Sequence, residues 1–300
     1  MNDQQPSPPQ AVADAIRALC WAPPTDHDAG LIAHAVETEL GAVIEATVLS
    51  KMLCLLAAHL NHTPVTGLPR PAARFFASTL RTNQHKTTVY RSHATNVTTA
   101  LRTAGIAAAV LGGLNVEHTL YGGTGARQFN DIDLLISPQH LTRTSTILHN
   151  LGYHPTTAQR SWIRNINDPL VPVCVVDLHT HLPHAHAGDA VDDLLRRRVE
   201  QILPDHSDPL PALAPIDALE YSLARLGQAT NPDTGPDAGS GKDRPRWLLT
   251  ADALRLWRAA PPPRREYAPT ARRGWTALRS IWPQLPTDPA NTHPAVPDTR

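Results

Sequence analysis

The sequence predicts an α/β protein: a small mixed β-sheet core embedded in a mostly helical frame. Three observations point there. Apolar residues recur three and four apart through most of residues 11–105, the spacing of amphipathic helices. The pattern then changes to short apolar runs bounded by glycine or proline, near 106–111, 131–136 and 171–181, as expected of buried strands. After residue 188 the helical spacing returns.

Residues 1–10, MNDQQPSPPQ, are polar and proline-rich, which reads as a disordered lead-in and as the reverse of a signal peptide. In the helical region that follows, Ala42, Val43, Ile44, Val48, Leu49, Met52, Leu55 and Leu56 form one stripe, ended by Pro64 and Gly67-Leu68-Pro69. A long helix is expected over 71–103, with Arg74, Arg81, Lys86 and Arg91 on a solvated face. The run 106–111 is a strand candidate that Gly112-Gly113 ends, residues 114–121 can form a helix, and Gly122, Gly123 and Gly125 make a flexible loop. The best strand candidate is 131–136. Pro138 then opens a helix at its favoured first position and Gly152 stops it. Strands are expected around 160–166 and over 171–181, where Pro172 hints at an edge or a strand start. Helices are expected over 189–201, 215–228, 245–259 and 267–281. Residues 229–242, rich in Asn, Pro, Asp, Gly and Ser, read as a mobile loop, and 283–300 as a disordered tail. The chain so divides into a helical region 11–105, a core 106–187 and a second helical region 188–282.

A length of 300 residues suits one domain with appended helices or two small lobes. A formal net charge of zero argues against a chain whose main task is to coat a nucleic-acid backbone, although a local basic patch stays compatible with it. Lysine is confined to Lys51, Lys86 and Lys242, so arginine carries nearly all positive charge. Its planar fork suits phosphate, yet a plain surface would use it equally. Cys20, Cys54 and Cys174 lie far apart in apolar stretches, which fits reduced, buried thiols in a cytoplasmic protein, and the absence of Cys-x-x-Cys argues against a zinc ribbon. The apolar run 42–58 is broken by Glu45 and Lys51, so it is not a membrane span.

The residues that suggest chemistry begin with Asp131 and Asp133. Side chains alternate along a strand, so both carboxylates share one face while Ile132 and Leu134 turn into the core. Paired hard oxygen ligands on a rigid element suit magnesium beside phosphate oxygens, although an isolated Asp-x-Asp also arises by chance at strand ends. Upstream, Leu111-Gly112-Gly113 closes a strand and opens a helix, where backbone amides can cradle phosphate. Downstream, Asp177 stands on another strand candidate and could join the pair, which would give a two-metal phosphoryl-transfer arrangement. Asp177, His179 and His181 share one strand face, so zinc is conceivable, but His184 and His186 follow Pro183 in a loop. His179 reads better as a partner that orients Asp177. Arg196-Arg197-Arg198 reads as a solvated helix face, while Lys242, Arg244 and Arg246 either close over phosphate or simply open an exposed helix.

Taken together, the segments 109–113, 120–121, 127–136, 148–153 and 176–179, which include Leu111-Gly112-Gly113, Arg127-Gln128-Phe129-Asn130-Asp131-Ile132-Asp133 and Val176-Asp177-Leu178-His179, resemble the uncharacterised nucleotidyltransferases. This is a branch of the DNA polymerase β-like nucleotidyltransferase superfamily. Trp247-Leu248-Leu249-Thr250-Ala251-Asp252 resembles that family's Arg-Trp-Leu-Leu-Asp helix with two residues inserted before the acid. The likeness covers about residues 45–258 and is strongest over 106–181. It implies a minimal mixed nucleotidyltransferase sheet, a nucleoside triphosphate donor bound through Mg2+ or Mn2+, and nucleotidyl transfer to an acceptor. Asp131, Asp133 and Asp177 would be the metal ligands, Gly112, Gly113 and Arg127 would bind nucleotide, and Arg127 would meet the triphosphate bidentately. The family usually has Leu-Lys-Gly where this chain has Leu111-Gly112-Gly113, which removes a cationic phosphate partner. The acceptor stays open among a small metabolite, a biosynthetic peptide, a protein side chain and an RNA end. Three readings compete with this one: a phosphotransferase on the same core, an RNA-modifying toxin, and a catalytically degenerate nucleotide-binding module.

Overall fold

The computed structural model describes residues 9–21, 24–157, 160–182, 191–202, 209–229, 247–259 and 269–287. Four short helices come first: α1 (Gln10–Leu19), α2 (Asp26–Thr38), α3 (Leu40–Leu49) and α4 (Leu53–His62). A capping box starts α2, with the Thr25 side chain accepting from the Asp28 amide at 3.2 Å and Asp28 Oδ2 accepting from the Thr25 amide at 2.9 Å. The single stripe expected across 42–56 is cut between α3 and α4. Lys51 adopts a positive φ of 60°, which turns the chain and leaves Val48 and Leu49 exposed while Met52, Leu55 and Leu56 are buried.

Helix α5 (Arg70–Thr103) is the long helix expected from the sequence, with proline in its first turn. It lies across the sheet and buries Tyr90, Ala94, Val97 and Leu101 against Val110, Leu134 and Val176. Its basic face is therefore not wholly solvated. Arg91 is buried, and Lys86 is half-buried, donating from Nζ to Asn130 Oδ1 at 2.6 Å and lying over the Tyr90 and Phe129 rings.

Strand β1 (Ala108–Val110), helix α6 (Gly112–Leu120) and strand β2 (Ile132–Ile136) follow, then a 3-10 turn over Pro138–His140 that runs into α7 (Leu141–Asn150). Strands β3 (His154–Pro155), β4 (Ser161–Asn165) and β5 (Val173–His179) come next. Strand β5 begins directly after Pro172, so the proline marks a strand start and removes no ladder donor. The helix expected over 189–201 ends earlier among the described residues: α8 (Val191–Arg197) stops before Val199–Gln201, which forms β6 and pairs with β7 (Leu210–Ala212). Three-residue strands leave no alternation to read, and Pro211 argues against one. Within the Arg196-Arg197-Arg198 run, Arg197 bonds the buried Asp217 at 3.2 Å, so only part of that run is a solvated face. Helices α9 (Pro215–Ala229), α10 (Trp247–Ala259) and α11 (Pro269–Ile281) complete the frame.

The sheet is mixed and ordered β3-β4-β5-β2-β1-β7-β6. Strand β2 lies antiparallel to β1 and parallel to β5, and β4 is antiparallel to β5. One face packs under α5 and α7; the other carries Ala109, Leu111 and Leu135 into a second core shared with the terminal helices. Beyond α11 the chain stays packed, with Leu285 buried and Trp275 Nε1 donating to the Pro286 carbonyl at 3.0 Å. All three cysteines are free, buried thiols. Among the described residues no helix is long and apolar enough to cross a membrane. Residues 1–8, 230–246 and 288–300 lie outside the described residues, as do Pro183, His184 and His186, so the expectations for Lys242, Arg244 and Arg246 do too.

Candidate functional site

The parallel pairing of β2 and β5 sets Asp133 directly beside Asp177, and the antiparallel pairing of β4 sets Ser161 beside Asp177. Asp131 stands one residue before β2 on the same face as Asp133. One ligand oxygen from each of Asp131, Asp133 and Asp177 lies within 4.8 Å of the others. The structure thus brings together the three carboxylates that the sequence singled out.

Their surroundings treat them unequally. Burial, and then the charges of Asp133 and Asp177, push the Asp131 carboxyl above its ordinary range, with Arg225 and Arg127 opposing. Burial acts the same way on Asp133, but the His179 hydrogen bond and the charges of His179, Arg225 and Arg127 outweigh it and hold that carboxyl below its ordinary range. His179 Nε2 lies 2.8 Å from Asp133 Oδ1, and since an ionised carboxylate only accepts, the ring donates. This corrects the expected partner, because His179 orients Asp133 and not Asp177. Residues 177 and 179 share a strand face, but the parallel neighbour brings Asp133 within reach of the ring. Asp177 Oδ1 instead accepts a short hydrogen bond from Ser161 Oγ.

The glycine turn is bound to the same strand. The Leu111 amide donates to the Asp133 carbonyl at 2.9 Å, which carries the first turn of α6 up against the Asp133 side chain. Gly112 has a φ of 58°, and a Cβ on it would run into Asp133 Oδ2. Glycine is therefore required there both by conformation and by space. The lysine that the resemblance led one to expect has no room in this geometry. A Cβ on Gly113 would meet the Arg127 guanidinium, which backs the turn from beneath.

Arg127 sits differently from the expectation that it meets a triphosphate. Its side chain is 8% exposed, and Nε and Nη2 both donate to Asp252 Oδ2, at 3.1 and 2.8 Å. Nη1 donates to the Gln128 carbonyl at 2.6 Å. Burial works against its charge, and Asp252 more than compensates, so the guanidinium is held firmly cationic. Tyr121 completes the pair by donating to Asp252 Oδ1 at 3.4 Å. Asp252 is the acid of the α10 helix that resembled the family's Trp-Leu-Leu-Asp helix, and its partner gives that helix a structural reason.

The glycine-rich stretch before the aspartates is clamped, contrary to the flexible loop expected. Glu117 accepts the Gly125 amide at 2.6 Å and the Arg127 amide at 2.7 Å. Asn83 donates to the Gly125 and Arg127 carbonyls at 2.7 and 3.1 Å. Burial raises the Glu117 carboxyl to about 7, against the pull of those amide hydrogen bonds and of Arg127. This buried framework fixes the approach of residues 125–131 to β2.

Residues 37–248, more than two thirds of the chain, match the family described as uncharacterised nucleotidyltransferase. The chain belongs to that family. No match is found among curated proteins. Among solved structures it is similar to an antigenic nucleotidyltransferase-like protein from Paracoccidioides brasiliensis, with 14% identity, a TM-score of 0.42, and coverage of 66% of this chain and 88% of that one.

In this nucleotidyltransferase family member, several residues at or behind the site escaped the sequence reading. Ser161 carried no signal beyond its place in a strand candidate, since its role follows from the register with Asp177. Asn83 on α5 and Glu117 on α6 look like ordinary polar helix positions. Arg225, on α9, has Nη1 4.0 Å from Asp133 Oδ2, though it lies nearly a hundred residues away in the chain.

Proposed function

We propose that the protein transfers a nucleotidyl group from a nucleoside triphosphate to an acceptor hydroxyl, whose oxygen bonds to the α-phosphorus as the α–β phosphoanhydride bond breaks and pyrophosphate leaves, with Asp131, Asp133 and Asp177 holding divalent cations. The observation that carries this reading is the cluster of three carboxylate oxygens within 4.8 Å, built on adjacent parallel strands in a member of a nucleotidyltransferase family. An all-oxygen donor set of this kind fits a hard cation, Mg2+ or Mn2+, better than zinc. Bound there, the cations would supply Lewis-acid stabilisation to the transferring phosphoryl group.

The chain's own residues divide the remaining work. Asp133 is held by His179 with its carboxylate ionised and aimed at the cluster. Asp131 shares that face, and its repulsion with Asp133 and Asp177 is relieved when a cation binds between them. Asp177 Oδ1 accepts from Ser161, which orients the carboxylate so that its remaining lone pairs could ligate a cation and take the proton of an acceptor hydroxyl as it attacks. The amides at the start of α6, beside Gly112 and Gly113, face the same region and have no partner within the helix, as at any helix start, which suits them to phosphate oxygens. The acceptor class, whether metabolite, peptide, protein or RNA end, lies beyond this reading.

Calorimetry with the four common ribonucleoside triphosphates, with and without Mg2+, tests it. Binding should require the metal, and Asp131→Ala and Asp133→Ala should each weaken it at least about tenfold, as expected when a cation loses one of few ligands. Asp131→Ala should fold because it removes a like-charge repulsion, and circular dichroism checks the fold of Asp133→Ala, which also loses its His179 hydrogen bond. Mass spectrometry of the modified acceptor should show an added nucleotide. Undiminished metal-dependent binding in both variants would overturn the assignment.

A further inference from the structure

The three basic side chains that draw on Asp133 are placed very differently. Arg127 is buried, with its fork on Asp252. His179 is bound to Asp133 Oδ1. Arg225 Nη1 stands 4.0 Å from Oδ2, beyond hydrogen-bond length, and its side chain is 40% exposed. It is carried on α9 one turn after Tyr221, and the guanidinium lies over that ring at 5.7 Å. It also lies over the glycine turn, because a Cβ on Gly112 would come within 3.5 Å of Nη1. An electropositive helix start and an accessible guanidinium, hydrogen-bonded to Tyr221 but not to Asp133, therefore border the same space beside the carboxylates.

We propose that Arg225 is the clamp for the phosphate chain of the donor, an inference that rests on the nucleotidyl-transfer reading above. In the free protein Arg225 offsets the charge of Asp133 from a distance. With the Asp133 charge taken up by a cation, Arg225 would be released to turn its paired N–H groups to the phosphate oxygens of the donor. Gly112 is the complement of this arrangement. A side chain there would fill the space that Arg225 reaches from the far side of the fold.

Two opposite responses in one variant separate a clamp from a simple ion pair. Titrations of the full chain with Mn2+ alone, with a nucleoside monophosphate plus Mn2+, and with the matching triphosphate plus Mn2+ are compared in the parent, Arg225→Gln and Arg225→Lys. In Arg225→Gln the triphosphate should bind roughly tenfold to a hundredfold more weakly, the range for losing charge-assisted hydrogen bonds. The monophosphate should be unchanged, and Mn2+ alone should bind as tightly as in the parent or more so. Arg225→Lys should fall between, since a point charge replaces one interaction of two. It also carries the test if Arg225→Gln fails to fold. Equal triphosphate affinity in the folded variants overturns the clamp while leaving the general reading intact, and so does an equal loss for Mn2+ alone. A parent that binds no triphosphate with metal sinks the general reading, and this inference with it.

Discussion

Removing Asp252 should damage stability far more than nucleotide recognition, because its partner Arg127 is buried. The Arg127 and Asp252 side chains are 8% and 2% exposed, and two hydrogen bonds of 3.1 and 2.8 Å join them. Asp252→Ala leaves a guanidinium without its counter-ion and a Tyr121 hydroxyl without its acceptor. Breaking such a buried pair from one side costs about 3–5 kcal/mol. That is at least about a fifth of the roughly 5–15 kcal/mol that holds a typical domain together. Arg127→Met should cost a similar amount by stranding Asp252. The double variant, which strands neither charge, should be destabilised by clearly less than the two single losses added together. Urea unfolding of the parent, both single variants and the double variant measures this coupling. Nucleotide affinity measured below the unfolding transition should change less than about threefold in Arg127→Met, a small effect on the scale of a lost ionic contact. The reasoning fails if Asp252→Ala costs under about 1 kcal/mol, the level of an exposed pair, while Arg127→Met abolishes nucleotide binding. Arg127 would then be a ligand that merely rests on Asp252.

Three further expectations follow from the same geometry. Gly112→Ala forces a side chain into a positive φ and against Asp133, so it should lose roughly 1–2 kcal/mol of stability from the backbone alone, and metal binding by calorimetry should fall with it. Asp177→Asn keeps a neutral ligand oxygen, so it should weaken metal-dependent triphosphate binding less than Asp131→Ala or Asp133→Ala do while reducing single-turnover rate at least about a hundredfold, in the range for a lost general base, whereas Ser161→Ala, which only frees Asp177 Oδ1, should lower the rate by less. Glu117 should make stability depend on pH: its folded carboxyl titrates near 7, above the ordinary 4.5, so the unfolded chain releases its proton first and stability declines as pH rises from about 4.5 to about 7, then levels. Unfolding of the parent relative to Glu117→Gln, followed between those limits, should show a relative loss approaching roughly 3 kcal/mol at most, and a flat difference would show that the amide hydrogen bonds keep Glu117 ionised.

What was legible in the sequence is what depends on local periodicity. The long helix, the strand after Asp131, and the shared face of Asp131 and Asp133 follow from spacing alone, and the structure has them. Asp177 was readable as a strand residue, and only the parallel pairing of β5 with β2 makes it a neighbour of the pair. Partners depend on the ladder. The shared strand face points His179 to Asp177, whereas the ladder places the ring by Asp133. Arg127 next to the acidic pair resembled a phosphate ligand, and nothing local reveals that its fork is closed by an acid 125 positions later. Glycines at 122, 123 and 125 suggested mobility because their composition is that of a loop, but Glu117 and Asn83 fix the backbone there from other elements. Strand β7 and the edge strand β6 are too short to carry an alternation, and their places follow from the pairing of β7 with β1 and of β6 with β7.

The site also explains why residues far outside the central segment belong to it. Asp131 reaches its place through residues 125–130, and these are held by Asn83 from α5, Glu117 from α6 and, through Arg127, Asp252 from α10. Strand β1, whose end sets the glycine turn, is itself paired on its outer side by β7. Arg225 comes from α9, which packs against α10 and α11. The carboxylates alone repel one another, so nothing in their own chemistry would draw them together before a cation arrives. The fold must hold them against that repulsion, and a buried ionic frame with fixed geometry does so more rigidly than an apolar loop of the same length. On this argument the helices are not an envelope around a self-sufficient core. They supply the side chains that hold the approach of Asp131 to β2, while the ladder of β2 and β5 sets Asp133 beside Asp177, and α10 contributes the acid on which the Arg127 fork closes.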